Sequence, residues 1–125
     1  NWQAFKDLPR DRPIHMLNLI KFRDIAEYPE GHPNHGKGLT GREAYDIYEK
    51  RFQELVAEDG AAMVWEAPLE CAVTGLADEW DKAFVMGYPN SGVFMAMVKN
   101  EEYVRDALPH RTAAVADSRL IRFRG

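Results

Sequence analysis

The sequence predicts an α+β fold, with one four-stranded antiparallel sheet and two helices packed on a single face. Two apolar runs too short for helices, Ile14–Phe22 and Ala83–Tyr88, read as strands covered on both sides. Two amphipathic stripes read as helices, Tyr45, Tyr48, Phe52, Leu55 and Val56 in one and Val93, Phe94, Met97 and Val98 in the other. The elements follow in the order strand, helix, strand, strand, helix, strand, which is the ferredoxin-like βαββαβ arrangement. All 125 residues fit one domain of this kind.

The first strand covers Ile14–Phe22. Asp24–Gly38 follows, with two prolines, three glycines and two histidines, and reads as a loop. Thr40 and Glu43 form a capping box that opens the first helix, and Gly60 suits its C-terminal end. Ala61–Leu76 is expected as a long or bent strand, broken near Pro68 and followed by a polar turn at 77–79. Trp80–Tyr88 is the third strand. Pro89-Asn90-Ser91 starts a helix that ends near Asn100. Glu101–Leu108 and Thr112–Ala116 read as short helical continuations separated by Pro109, and Ser118–Phe123 as the closing strand.

Two helices can cover only one face of such a sheet. The other face would expose Leu17, Leu19 and Val85 together, and a patch of that kind usually marks an interface. A homodimer, sheet against sheet, is the expected partner arrangement.

Composition narrows the function. The net charge is −4 with acids and bases interleaved, which argues against nucleic acid, whose binders cluster Lys and Arg. No apolar run approaches the roughly 18 residues that span a bilayer, so no membrane partner is expected. Cys71 is the only cysteine, expected to be a buried, inert thiol, and a cytoplasmic setting fits it. Because the first residue is Asn1, the chain is open to being part of a longer one.

Asn18 shares a strand face with Met16, Ile20 and Phe22, where an amide needs either core partners or a ligand. Tyr45 and Tyr48 sit on the buried helical stripe, as core residues whose hydroxyls could reach a pocket. Trp65 is a rigid wall for core or ligand. The densest polar cluster is His110-Arg111 followed by Asp117-Ser118-Arg119. It offers an acid–base imidazole, anion clamps and orienting acceptors, or alternatively an ordinary helix end. His32 and His35 lack the further ligands a structural zinc site needs, and they read as part of a mobile surface loop with no metal.

Met16–Phe22, Gly41-Arg42-Glu43 with Tyr45 and Tyr48, Tyr88-Pro89, Pro109-His110-Arg111 and 116–121 together resemble the "domain of unknown function" family numbered thirteen-thirty. The resemblance implies a place among dimeric α+β barrels, whose members include cofactor-independent monooxygenases, lactone isomerases, haem-degrading enzymes and ligand-sensing domains. Such membership fixes a fold better than a function.

The sequence therefore supports a small-molecule-binding domain with its pocket between sheet and helices and no cofactor. One reading is a cofactor-independent enzyme of the oxygenase or isomerase kind, with His110 and Asn18 catalytic. Tyr45, Tyr48, Trp65, Arg111, Asp117, Ser118 and Arg119 would then bind the substrate. The alternative is a non-catalytic ligand-binding or regulatory dimer. A third reading, haem binding, rests on the types of residue present.

Overall fold

The computed structural model describes residues 1–125. Alternation along the strands decides which residues meet. β1 (Ile14–Phe22) turns Ile14, Met16, Ile20 and Phe22 to one side, all buried, and β3 (Lys82–Tyr88) does the same with Phe84, Met86 and Tyr88. β1 lies at the centre, antiparallel to β3 with Met16 opposite Met86 and to β4 (Val115–Arg124) with Met16 opposite Arg122. β2 (Ala62–Pro68) completes the order β2-β3-β1-β4, as the ferredoxin-like fold requires.

The helices cover this face. α2 (Gly41–Val56) starts at a Thr40 cap whose hydroxyl accepts from the Glu43 amide at 3.1 Å, while the Glu43 carboxylate accepts from the Thr40 amide at 3.0 Å. Its stripe of Ala44, Tyr45, Tyr48, Phe52 and Val56 is buried on the sheet. Its first residue admits no side chain, because a Cβ at Gly41 would run into the Arg23 carbonyl oxygen. α3 (Ser91–Lys99), capped by Asn90, adds Phe94 and Met97 to the core.

Four local expectations are corrected. α2 ends at Val56, and Gly60 serves the following turn at φ +79°. The second strand stops at Pro68, because the β2–β3 ladder ends where Pro68 meets Lys82. Residues 69–81 leave the sheet, so Cys71 is exposed rather than buried, and Val73 is almost bare. Pro109 does not separate two helices. It sits in the first turn of α4 (Leu108–Ala114), where its missing N–H costs nothing, and a π-helical turn at Tyr103–Ala107 leads straight into it.

The loop after β1 is fastened rather than a loose surface loop. Its Tyr28 is buried, the Glu27 amide donates to the Ala113 carbonyl at 2.9 Å, and Ile25 bridges to Thr40. A short α1 (Trp2–Asp7) not evident in the sequence lies against α3, with Trp2 stacked on Phe94 at 6.2 Å. Arg122 holds its end, donating to the Pro9 carbonyl at 2.6 Å.

The opposite face of the sheet carries no helix. Leu17, Leu19 and Val85 lie there half-buried, flanked by Val64, Trp65, Ile121 and Phe123, each between 41% and 51% exposed. No helix is long and apolar enough to cross a membrane.

Candidate functional site

Asn18 interrupts the buried row of β1, and a cavity of about 350 Å³ opens above it between the sheet and the helices. Phe84 of β3 and Leu120 of β4 share its floor, the latter directly opposite Asn18 in the ladder. Tyr48 and Phe52 of α2, Phe94 and Met97 of α3, and Tyr103 form the walls, and Trp2 stands at one end. The volume lies at the low end of the roughly 300–1,000 Å³ usual for ligand pockets, and the lining has their usual apolar majority with a few placed polar groups.

Those polar groups converge. The Asn18 side chain donates to its own strand at the Met16 carbonyl, 3.2 Å away, leaving the other end of the amide without a protein partner. The Tyr48 and Tyr103 hydroxyls lie 3.1 Å apart, and burial keeps the Tyr48 phenol protonated far above the usual range. Arg111 reaches in from α4 and donates from Nη2 to the Ser118 hydroxyl at 3.3 Å. No carboxylate lines the cavity.

No protein-family profile matches the chain, and no curated protein does. Solved structures match well. RPA0582, a protein of unknown function from Rhodopseudomonas palustris, is 38% identical over 99% of this chain and 90% of its own, with a TM-score of 0.85. The crystal structure of its methylated form gives 0.87. The chain belongs to the RPA0582 family. A dimeric protein of unknown function with a ferredoxin-like fold from Bacteroides fragilis covers 94% of this chain and all of its own at 12% identity, TM-score 0.55. SnoaB, a cofactor-independent oxygenase from Streptomyces nogalater, covers 91% of this chain and 93% of its own at 11% identity, TM-score 0.53. At such identities the likeness shows the fold alone.

Within this member of the RPA0582 family, Asn18, Tyr48, Arg111 and Ser118 meet at the cavity, and the other residues singled out from sequence do not. Tyr45 is 1% exposed and lies deeper, against Phe22 and Tyr48, with Lys82 Nζ 5.7 Å from its ring centre; burial pushes its phenol up as well. Strand alternation sends Asp117 and Arg119 to the other face, where they pair at 2.9 Å and Arg119 lies over Trp80. Trp65 pairs with Val85 on that same open face. His110 is a neighbour of Arg111 on a helix, so about 100° separates their side chains. It faces the loop after β1, bonded to Tyr28 and edge-on to His32, with centroids 5.4 Å apart. Burial, then the nearby His32, holds its imidazole below its ordinary pKa.

Tyr103 and Tyr28 were not legible as functional. Asn100 is the signal for the first, since its side chain accepts from the Glu102 and Tyr103 amides and so fixes the turn. The second was the one aromatic in a polar loop. No three His, Cys, Asp or Glu side chains cluster as metal ligands would.

Proposed function

We propose that this chain is a homodimeric small-molecule-binding protein whose ligand lies in the cleft between the sheet and its helices. The observation that carries the reading is the cavity itself, with apolar walls closing around Asn18, Tyr48, Arg111 and Ser118. Unsatisfied polar groups inside an apolar wall cost about 1–3 kcal/mol each, a cost that Leu or Phe would avoid. The same proposal places the chain in the family numbered thirteen-thirty, and an exposed thiol at Cys71 fits a cytoplasmic, reducing setting.

The dimer rests on the open face of the sheet. The chain exposes 7823 Å², whereas a folded monomer of its mass exposes about 6,800 Å². The excess is of the order of the roughly 800 Å² that each partner buries in a standard interface.

A cofactor-independent enzyme is the second reading. It is favoured by the Tyr48–Tyr103 pair, in which burial raises the Tyr48 phenol and one hydroxyl proton is free to donate to oxygen charge developing on a substrate. His110 has no part in it, being outside the cleft, and the haem reading loses its histidine for the same reason.

A thermal-shift screen of small carboxylates, phenols, lactones and haem, with Asn18→Ala as control, tests the binding. Hits that raise the melting point of the wild type but not of the variant are expected. No hit in any class removes the support for a ligand site. Turnover of a hit that is lost in Tyr48→Phe separates enzyme from binder.

A further inference from the structure

Arg111 is the one charged residue lining the cleft. Several cations around the helices and sheet are neutralised by carboxylate partners. Lys82 lies 2.7 Å from Glu49, Arg51 is 3.1 Å from Glu102 and 3.2 Å from Asp106, and Arg119 pairs with Asp117. Arg111 has none within ion-pair distance, and its one protein acceptor is the neutral Ser118 hydroxyl. A guanidinium has five N–H donors in a planar fork, so most of its donors are unused on the protein. In a chain of net charge −4, the cleft carries +1 with no carboxylate lining it.

The neighbouring tyrosines add a further donor. Two phenols that share one hydrogen bond use one of their two protons, and the remaining O–H of the Tyr48–Tyr103 pair has no protein acceptor. The polar end of the cavity thus lacks negative charge, its one free amide acceptor being the neutral Asn18 oxygen, while the rest is aromatic and aliphatic.

We propose that the cleft binds a small carboxylate with an apolar body, its carboxylate on Arg111 and its body among Phe52, Phe84, Phe94 and Met97. This rests on the cleft being a ligand site. A planar carboxylate matches the guanidinium fork in two parallel hydrogen bonds and accepts the free phenolic proton as well.

The test uses benzoate, phenylacetate and hexanoate, each against its neutral amide, titrated into wild type, Arg111→Gln and Arg111→Lys. Calorimetry gives affinity, and the Met97 methyl resonance gives location. At least one acid is expected to bind about tenfold or more tighter than its amide. Arg111→Gln should erase that preference and spare the amide, and Arg111→Lys should retain part of it. Equal binding of acid and amide with a Met97 shift overturns the carboxylate assignment and leaves the cleft standing. So does an acid preference that survives in Arg111→Gln. If no compound of either charge moves Met97, the ligand site itself fails. Should Arg111→Gln not fold, the wild-type acid–amide ratio and Arg111→Lys still decide.

Discussion

The Tyr28 hydroxyl and His110 Nδ1 lie 2.7 Å apart, joining the loop after β1 to α4. With His32 stacked on Tyr28 at 4.6 Å, the three rings clamp a loop whose composition promises nothing so ordered.

The clamp makes stability depend on pH. His110 takes up its proton below the 6.5 of free imidazole, through burial first and His32 second. Just below pH 6.5 the unfolded chain therefore binds more protons than the folded one, and stability falls as pH drops through that value. Above it the contribution is complete. Denaturant titrations from pH 8 to 5 should show the decline, and His32→Ala should flatten it. An imidazole titrating at or above its free value, by NMR, contradicts this.

At the other end of the helix–sheet layer, Lys82 Nζ sits 2.7 Å from Glu49 and 3.1 Å from Glu66, with the Lys82 and Glu49 side chains only 14% and 15% exposed. One Glu49 oxygen is buried without a partner, and burial raises that carboxyl above its ordinary value. Lys82→Met should cost about 3 kcal/mol by stranding the acid. Adding Glu49→Met should recover much of the loss. A double mutant no more stable than the single one would show that the pair is not coupled in this way.

Ile121 is 41% exposed on the open sheet face, so a charge there threatens assembly more than folding. Ile121→Glu should yield a folded monomer by circular dichroism and light scattering. Leu19→Asp, half-buried on the same face, should dissociate or unfold the chain. A wild-type protein that scatters as a monomer at micromolar concentration ends the dimer proposal.

Gly41→Ala should destabilise by about 3 kcal/mol or more, because its Cβ meets backbone at Arg23 and Ala114 rather than a movable side chain. Thr40→Ala next to it loses only a cap, about 1 kcal/mol. Chemical denaturation that ranks the two the other way would show that the backbone there yields.

The parity of β1 was readable because Asn18 stands among Met16, Ile20 and Phe22, and the capping box of α2 was readable in two residues. The failures have physical causes. Residues 69–76 have strand-like composition, but their hairpin outruns the sheet, so Leu69, Val73 and Leu76 find no ladder or core. α1 offers six residues and one cap, too little periodicity to detect. The sequence places His110 and Arg111 together at the site, but neighbours on a helix point about 100° apart, and only Arg111 lines the cleft.

Asn18 and Leu17 are consecutive on the central strand, yet one floors the cavity and the other lies on the bare side of the sheet. Inserting or deleting a single residue within β1 would exchange the two sides wholesale, putting Leu17 and Leu19 under the helices and Ile20 in water. Point substitutions here can be graded, but changes of length cannot. Added length breaks no ladder in the mostly exposed segment 69–81, whereas the nine residues of β1 form a frame whose side chains can change but whose length cannot.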